Sequence, residues 1–224
     1  MIFITGDTHI PIDVKKLGTR SFPLQKELTK SDYVIICGDF GGVWNNDSEE
    51  MYWRKWLESK SFTTLFVDGN HENHPLLSSF ETVDLFGGKA HRISDSVYHL
   101  MRGQIFDIDG KRFFTLGGAA SHDRGYRVEG KSWWKEELPS PDELDEATRN
   151  LQNVDFSVDF VITHCAPTSV QSLLSKDYRP DILTDYFEDL KAKLSFQKWF
   201  FGHYHIDTMI DKKYRAIYDD IARI

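Results

Sequence analysis

The sequence contains few cysteines and no long apolar segment. Its 224 residues include only Cys37 and Cys165, too few for a disulfide framework. Each cysteine lies at the end of an apolar run, so both are predicted to be buried free thiols. All apolar runs are far shorter than the roughly 20 residues of a transmembrane helix, and no basic segment followed by an apolar core opens the chain. These features predict a cytoplasmic protein with no membrane partner.

Basic charge is also scarce relative to acidic charge. Lys and Arg number 27 against 35 Asp and Glu, which gives a formal net charge of −8 at pH 7. A dedicated nucleic-acid-binding module needs a basic surface, although Lys131, Arg124 and Arg127 could form a local basic groove. Nucleic acid is therefore not the favoured partner. The length suits one sizeable core, and we expect a single domain over residues 1–224.

Five short apolar runs predict buried strands. They lie at residues 2–5, 33–37, 64–68, 160–163 and 198–201. Each run is too short for a helix and is rich in β-branched or aromatic residues. Amphipathic segments between the runs predict helices. These segments lie at residues 48–59, 140–152 and 183–194.

The middle and the end of the chain depart from this alternation of strand and helix. Between Lys89 and Gly118 strands alternate with turns, and Asp109-Gly110 is a strong hairpin signal. Residues 208–220 predict a second hairpin. Parallel units at both ends, with antiparallel strands between them, predict an α/β (α+β) fold in which two packed mixed β-sheets are flanked by helices.

Each of the five apolar runs is followed by a polar motif. In chain order the motifs are GDTH, GDF, GNHE, HCAP and GHYH. Ligands of open α/β sheets bind beyond the carboxyl ends of the strands, where the connecting loops converge. We therefore expect one set of side chains to meet at a single site. The set comprises Asp7, His9, Asp39, Asn70, His71, His164, His203 and His205.

These side chains indicate a site for divalent metal ions. Carboxylate, amide and imidazole donors without thiolate suit manganese, iron, zinc or nickel, and they disfavour copper(I) or an iron–sulfur cluster. The set exceeds the four ligands of a tetrahedral zinc site, so two metal ions fit it better than one. Asp39 is the natural bridging carboxylate, and Asn70 is a neutral oxygen donor.

The five motifs, in this order and each after an apolar run, resemble those of the calcineurin-like metallophosphoesterase family. The resemblance extends from residue 5 to residue 205. It implies a four-layer sandwich of two mixed sheets flanked by helices. It also implies two metal ions that share one carboxylate. The first is held by Asp7, His9, Asp39 and His205, and the second by Asp39, Asn70, His164 and His203.

The resemblance further implies a metal-dependent phosphoric ester hydrolase, either a phosphatase or a phosphodiesterase. Two cations about 3.5–4 Å apart would clamp the phosphoryl group of a phosphomonoester or phosphodiester and activate hydroxide for in-line attack. His71 would stand near the leaving-group oxygen as an acid or charge stabiliser. Two other functions stay open, namely a metal-binding scaffold of the same fold with little catalysis, and a nuclease.

The second motif departs from the family pattern. Many relatives carry a second Asp within this motif, which in the Ser/Thr protein phosphatases orients the catalytic histidine, whereas this chain has Gly42 at that position. The departure argues against the protein-phosphatase subgroup. It also leaves open what orients His71, with Asp47, Glu72 and Asp123 as candidates.

Several residues outside the motifs allow two interpretations. Arg124 and Arg127 either contact a phosphate oxygen or belong to an ordinary surface loop. Trp133 and Trp134 either stack on a substrate or pack against a neighbouring loop, and packing is favoured. Two further groups are predicted to have no role in the site. They are His74, His91 and His99, predicted at the surface or in turns, and Glu136 and Glu137, predicted to be solvated.

Overall fold

Thirteen strands form two mixed sheets in the computed structural model, which describes residues 1–224. The strands are β1 (Ile2–Thr5), β2 (Tyr33–Cys37), β3 (Thr63–Val67), β4 (Glu81–Leu85), β5 (Gly88–Ser94), β6 (Val97–Leu100), β7 (Gln104–Ile108), β8 (Lys111–Leu116), β9 (Phe160–Thr163), β10 (Lys198–Phe201), β11 (Thr208–Ile210), β12 (Tyr214–Ala216) and β13 (Ile221–Arg223). The first sheet has seven strands in the order β13-β1-β2-β3-β6-β5-β4. The second has six, in the order β11-β12-β10-β9-β8-β7.

All five predicted strands are present. Four have the predicted bounds, and the third begins and ends one residue earlier than predicted, at Thr63–Val67. Strands β1, β2, β3 and β6 are parallel to one another, as are β8, β9, β10 and β12. The carboxyl ends of the motif-bearing strands therefore lie together at one edge of each sheet. Both predicted hairpins are confirmed, as β7–β8 and β11–β12.

Five α-helices accompany the sheets. They are α1 (Ser48–Glu58), α2 (His74–Leu77), α3 (Pro141–Gln152), α4 (Thr168–Leu174) and α5 (Ile182–Lys191). The three predicted helices correspond to α1, α3 and α5, and the capping box that opens α3 is formed. The sequence did not indicate α2 and α4, because each is too short to show a helical apolar period. No helix is both long and apolar enough to cross a membrane.

Three apolar clusters separate the four layers of the fold. The central cluster packs Ile4 and Leu65 of the first sheet against Phe113 and Ile162 of the second. A second cluster joins the outer face of the first sheet to α1, and a third joins the outer face of the second sheet to α3 and α5. The predicted four-layer sandwich of mixed sheets and flanking helices is confirmed.

Both cysteines are buried and free, as predicted. Cys37 is the last residue of β2 and Cys165 follows β9. Each belongs to an apolar cluster, and burial raises the pKa of both thiols well above the ordinary value. Neither is available as a reactive nucleophile or as a soft metal ligand.

Candidate metal centre

The five motif loops meet where strands of the two sheets end. The residues concerned are Asp7 after β1, Asp39 after β2, Asn70 after β3, His164 after β9 and His203 after β10. Two hydrogen bonds link the sheets at this place. His164 Nδ1 donates to the Cys37 carbonyl at 2.8 Å, and the His203 backbone N–H donates to the Asp7 carboxylate at 3.1 Å. The strand ends are thus fastened to one another.

One group of donors surrounds the Asp7 carboxylate. Asp7 Oδ2 lies 3.2 Å from His205 Nε2, and the ring centroids of His9 and His205 are 5.0 Å apart. One donor atom from each of Asp7, His9 and His205 lies within 4.8 Å of the others. Asp39 Oδ2 lies 3.2 Å from His9 Nε2. The structure therefore brings together the four side chains implied for the first metal.

A second group lies on the other side of Asp39. His164 Nε2 is 3.2 Å from Asn70 Oδ1 and 3.2 Å from Asp39 Oδ1. The ring of His203 contacts that of His164, with centroids 4.9 Å apart. Asp39 thus directs Oδ2 toward the first group and Oδ1 toward the second, an arrangement that suits a carboxylate bridging through both oxygens.

Hydrogen bonds fix which nitrogen two of the histidines present to the site. Because His164 Nδ1 donates to the Cys37 carbonyl, its Nε2 is the nitrogen that faces the site. His9 Nδ1 lies 2.7 Å from Asp13 Oδ2, so its Nε2 likewise faces the site. Partners of this kind orient metal-binding imidazoles and raise their basicity. Asp13, four residues after His9, lies outside the five motifs, and no pattern in the sequence indicated its role.

The backbone around the site is strained and crowded. Four of the proposed ligands have positive φ angles, which residues other than glycine rarely adopt and which concentrate at functional sites. They are His9 at 31°, Asp39 at 44°, His203 at 67° and His205 at 51°. A Cβ at Gly69 would overlap the Asp39 carboxylate, and one at Gly202 would overlap that of Asp7. Glycine is required at both positions because the carboxylates lie directly against the backbone.

The charges of the site suit a divalent cation. Asp7 and Asp39 are 0% and 1% exposed, and no Lys or Arg side chain pairs with either carboxylate. Burial opposes a charged His164, but the nearby Asp39 carboxylate raises the pKa of His164 to about 10. Burial would also raise the pKa of Asp39, yet His164 holds it well below its usual range. Two buried carboxylates facing neutral oxygen and imidazole donors fit divalent metal ions.

The ring of His71 contacts Arg127, and one of its nitrogens lies within 4.8 Å of an Asp39 carboxylate oxygen. Arg127 Nη2 lies 3.1 Å from His71 Nε2 and Nη1 lies 3.4 Å from Nδ1. Burial lowers the pKa of His71, the Asp39 carboxylate opposes this shift, and the positive charge of Arg127 lowers the pKa further. Both residues line a cavity of about 190 Å³ with Asp39, Asn70 and His203. Arg127 thus lines the cavity beside the proposed ligands, and its contact with a phosphate oxygen stays a prediction.

None of the three candidate carboxylates contacts the His71 ring. Asp47 caps α1 by accepting the backbone N–H groups of the first helical turn. Glu72 is fully buried and accepts the Phe40 backbone N–H at 2.7 Å, so it supports the second motif loop. Asp123 accepts from Arg127 at 2.8 Å and so reaches His71 only through that guanidinium. None of these three residues therefore orients the His71 ring directly in place of the Asp that many relatives carry where this chain has Gly42.

Glu137 forms a buried hydrogen-bond chain to Asn70, which contradicts the prediction that it is solvated. The carboxylate is 0% exposed, and its Oε2 accepts from Ser121 Oγ at 2.7 Å. Ser121 Oγ in turn accepts from Asn70 Nδ2 at 3.1 Å, which leaves Asn70 Oδ1 directed toward the metal centre. Arg124 pairs with the same carboxylate and is thereby held away from the cavity. No sequence pattern distinguishes Glu137 from the exposed Glu136 beside it.

His74, His91 and His99 are buried, so their prediction as surface or turn residues was wrong. His91 Nδ1 lies 3.0 Å from His99 Nδ1, and His99 Nε2 lies 3.1 Å from Asp68 Oδ1. Arg102 also pairs with Asp68, at 2.6 Å. These groups line a separate cavity of about 750 Å³ behind the third motif. Burial lowers the pKa of His74 to about 3 and that of His91 to about 4, so both stay neutral, which explains how polar rings fit this interior.

The adjacent tryptophans pack against the protein, as favoured from the sequence. Trp134 is buried, and its ring meets that of Trp44 edge to face at 4.9 Å between centroids. Trp133 lies beneath the Arg124 guanidinium, 5.1 Å from its ring centroid. The contact between Trp134 and Trp44 packs the segment that contains Arg127 against the second motif loop.

The fold and the donor set define a metal-dependent phosphoesterase. The family model of the calcineurin-like phosphoesterases matches residues 1–207, and the chain belongs to this family. Members of the family hydrolyse phosphoric esters with the help of metal ions. A search among curated proteins found no match.

Proposed function

We propose that the protein is a dinuclear phosphoesterase that hydrolyses a phosphomonoester or phosphodiester. The observation that carries the proposal is the position of Asp39 between two groups of donors, with one carboxylate oxygen toward each. The two proposed ligand sets share Asp39. The first also contains Asp7, His9 and His205, and the second also contains Asn70, His164 and His203.

When bound, the two cations would stabilise charge on the phosphoryl group and lower the pKa of water for in-line attack. The protein itself orients the metal donors and provides a positively charged side chain that can contact the substrate. Arg127 lines the cavity beside the donors and can make a bidentate contact with phosphate oxygens. Asp123, which also lines the cavity, accepts a hydrogen bond from this guanidinium at 2.8 Å.

We assign His71 to the leaving-group side of the reaction. It lines the 190 Å³ cavity and also a larger adjoining groove, so it stands between the place for the phosphoryl group and open space for the organic group. At that boundary an imidazole can donate a hydrogen bond or a proton to the departing oxygen. Arg127, next to the ring, fixes its position.

The test combines metal analysis with hydrolysis of p-nitrophenyl phosphate and bis-p-nitrophenyl phosphate. We expect about two metals per chain and turnover that chelation abolishes and manganese restores. Asp39→Asn should lose both metal and turnover. Asp189→Asn, which changes an exposed carboxylate on α5, should lose neither.

The two rates would distinguish a phosphatase from a phosphodiesterase. Two bound metals without turnover of either ester would support the metal-binding scaffold instead. Absence of metal binding under every loading condition would refute the dinuclear centre. Cleavage of single- or double-stranded nucleic acid in preference to both esters would indicate a nuclease.

A further inference from the structure

A groove whose lining does not include Arg127 adjoins the candidate metal centre. It has a volume of about 630 Å³, and two proposed metal ligands, His9 and His205, lie on its wall together with His71. The smaller cavity that holds Arg127 shares His71 and His205 with it. The two spaces are therefore neighbouring parts of one cleft, and the groove is the space available to whatever is attached to the phosphoryl group.

The wall of the groove is apolar on one side. Ile10, Pro11 and Ile12 follow the first motif directly, and Trp44 faces them from the second motif loop. Ile12 is 69% exposed although it is a large aliphatic residue. Apolar side chains with an aromatic ring among them favour a flat apolar ligand. None of these four residues is needed to hold a metal.

The charges along the groove are of one sign. Asp47 and Glu49 line it without a basic partner, whereas Asp13 contacts His9 Nδ1 at 2.7 Å and Glu50 is neutralised by Arg54 at 2.9 Å. No Lys or Arg is among the lining residues. The phosphoryl side of the same cleft carries a cation in Arg127 and would also carry the metals. A second negative charge on the organic group would therefore be repelled, whereas a neutral or cationic group would not.

We propose, resting on the proposed function, that this groove binds the organic group of the substrate and selects an aromatic phosphoester with no further negative charge. The apolar wall contacts the ring, and the carboxylates of Asp47 and Glu49 reject esters that carry additional phosphate or carboxylate groups. Phosphoryl recognition stays with Arg127 and the metal centre.

Phosphonates test this proposal without interference from leaving-group reactivity, because their carbon–phosphorus bond is not hydrolysed. Calorimetry on the manganese-loaded protein compares methylphosphonate, benzylphosphonate, 4-carboxybenzylphosphonate and 4-(aminomethyl)benzylphosphonate. We expect benzylphosphonate to bind about tenfold or more tightly than methylphosphonate, because its ring leaves water. The carboxylated ligand should bind about three- to tenfold more weakly than benzylphosphonate, and the aminomethyl ligand at least as tightly.

Two exposed positions provide variants that should fold normally. Ile12→Ser should bring the affinity for benzylphosphonate toward that for methylphosphonate, and Glu49→Lys should narrow or reverse the difference between the carboxylated and aminomethyl ligands. Leu173→Ser is the matched control, since Leu173 is equally exposed at 69% and lies outside the groove. It should leave all four affinities unchanged.

The outcomes separate this inference from the proposed function. Methylphosphonate binding that depends on manganese, with no gain from the ring or no penalty for the carboxylate, would refute the inference and leave the dinuclear centre standing. Tighter binding of the carboxylated ligand would also refute it. A loaded protein that binds none of the four ligands and hydrolyses no ester would overturn both.

Discussion

Replacing Ser121 with Ala removes a buried hydroxyl that joins a proposed metal ligand to a buried carboxylate. The hydroxyl accepts from Asn70 Nδ2 at 3.1 Å and donates to Glu137 Oε2 at 2.7 Å. All three residues are less than a tenth exposed, so water cannot readily take its place. The substitution leaves an amide donor and a carboxylate oxygen unpaired, at a cost of about 1–3 kcal/mol each.

We expect part of this free-energy cost to lower the affinity for metal and only the remainder to lower the free energy of unfolding. The bond to Ser121 keeps Asn70 Nδ2 away from the centre and Oδ1 toward it, and without that bond the amide can rotate. A rotated amide would direct a donor N–H at a cation. We therefore expect the second metal to bind about 10- to 100-fold more weakly, the range found when groups that orient metal ligands are removed. The first metal, whose proposed ligands exclude Asn70, should bind as before.

Calorimetric titration of the metal-free protein with manganese measures the two affinities, and thermal unfolding of the same samples measures stability. Glu137→Gln should show a smaller effect in the same direction, because one acceptor oxygen remains. Ser79→Ala is the control, since it removes an exposed hydroxyl at the end of α2 that bonds only to a backbone carbonyl. Unchanged binding of both metals by Ser121→Ala would refute the orienting role, and an equal loss at both sites would indicate local unfolding instead.

Three further results are expected from the same structure. His71→Ala should keep both metals but lower turnover by about 10²- to 10⁴-fold, and full activity of this variant would contradict its position on the leaving-group side. Gly202→Ala should lose metal binding because the new Cβ overlaps a ligand carboxylate, while Gly125→Ala, where the added Cβ meets nothing, should bind metal normally. Cys37 and Cys165 should be unreactive toward Ellman's reagent in the folded protein and react fully in denaturant, since both are buried; a thiol that reacts under native conditions would disprove the packing around it.

The strands that bear the motifs could be predicted because their sequence and their environment agree. A strand covered on both faces needs an uninterrupted apolar run, and polar residues follow where the strand ends at a site that can pair them. In Ile2–Thr5 and Phe160–Thr163 both conditions hold, and these strands have the predicted bounds. The pairing of strands in the middle of the chain could not be predicted in full. Strand β6 is antiparallel to its neighbour β5 but parallel to β3, and only tertiary packing determines the second pairing.

The residues that were misassigned are polar groups whose burial depends on partners distant in sequence. Glu137 is buried because Ser121 and Arg124 face it, and His99 is buried because it bonds to Asp68, 31 residues earlier. Neither side chain has an apolar period or a motif around it. From the sequence alone such residues are predicted to be solvated, because charged groups are rarely buried unless they are paired. The pairing becomes visible only in the folded structure.

The seven proposed ligands could be predicted from the sequence although Asp7 and His205, the first and the last, are separated by 198 positions in the chain. Each belongs to a short motif directly after a strand, so the sheet order, and not the loops between motifs, decides which of them meet. Asp7 and His205 approach to 3.2 Å because β1 and β10 end at the junction of the two sheets, which the bond from the His203 N–H to Asp7 fastens. The groove, by contrast, is formed by the residues between the motifs, where Ile12 and Trp44 follow no periodic rule. For this reason the donor set of the candidate centre could be predicted from the sequence, whereas the selection proposed for the organic group could be inferred only from the structure.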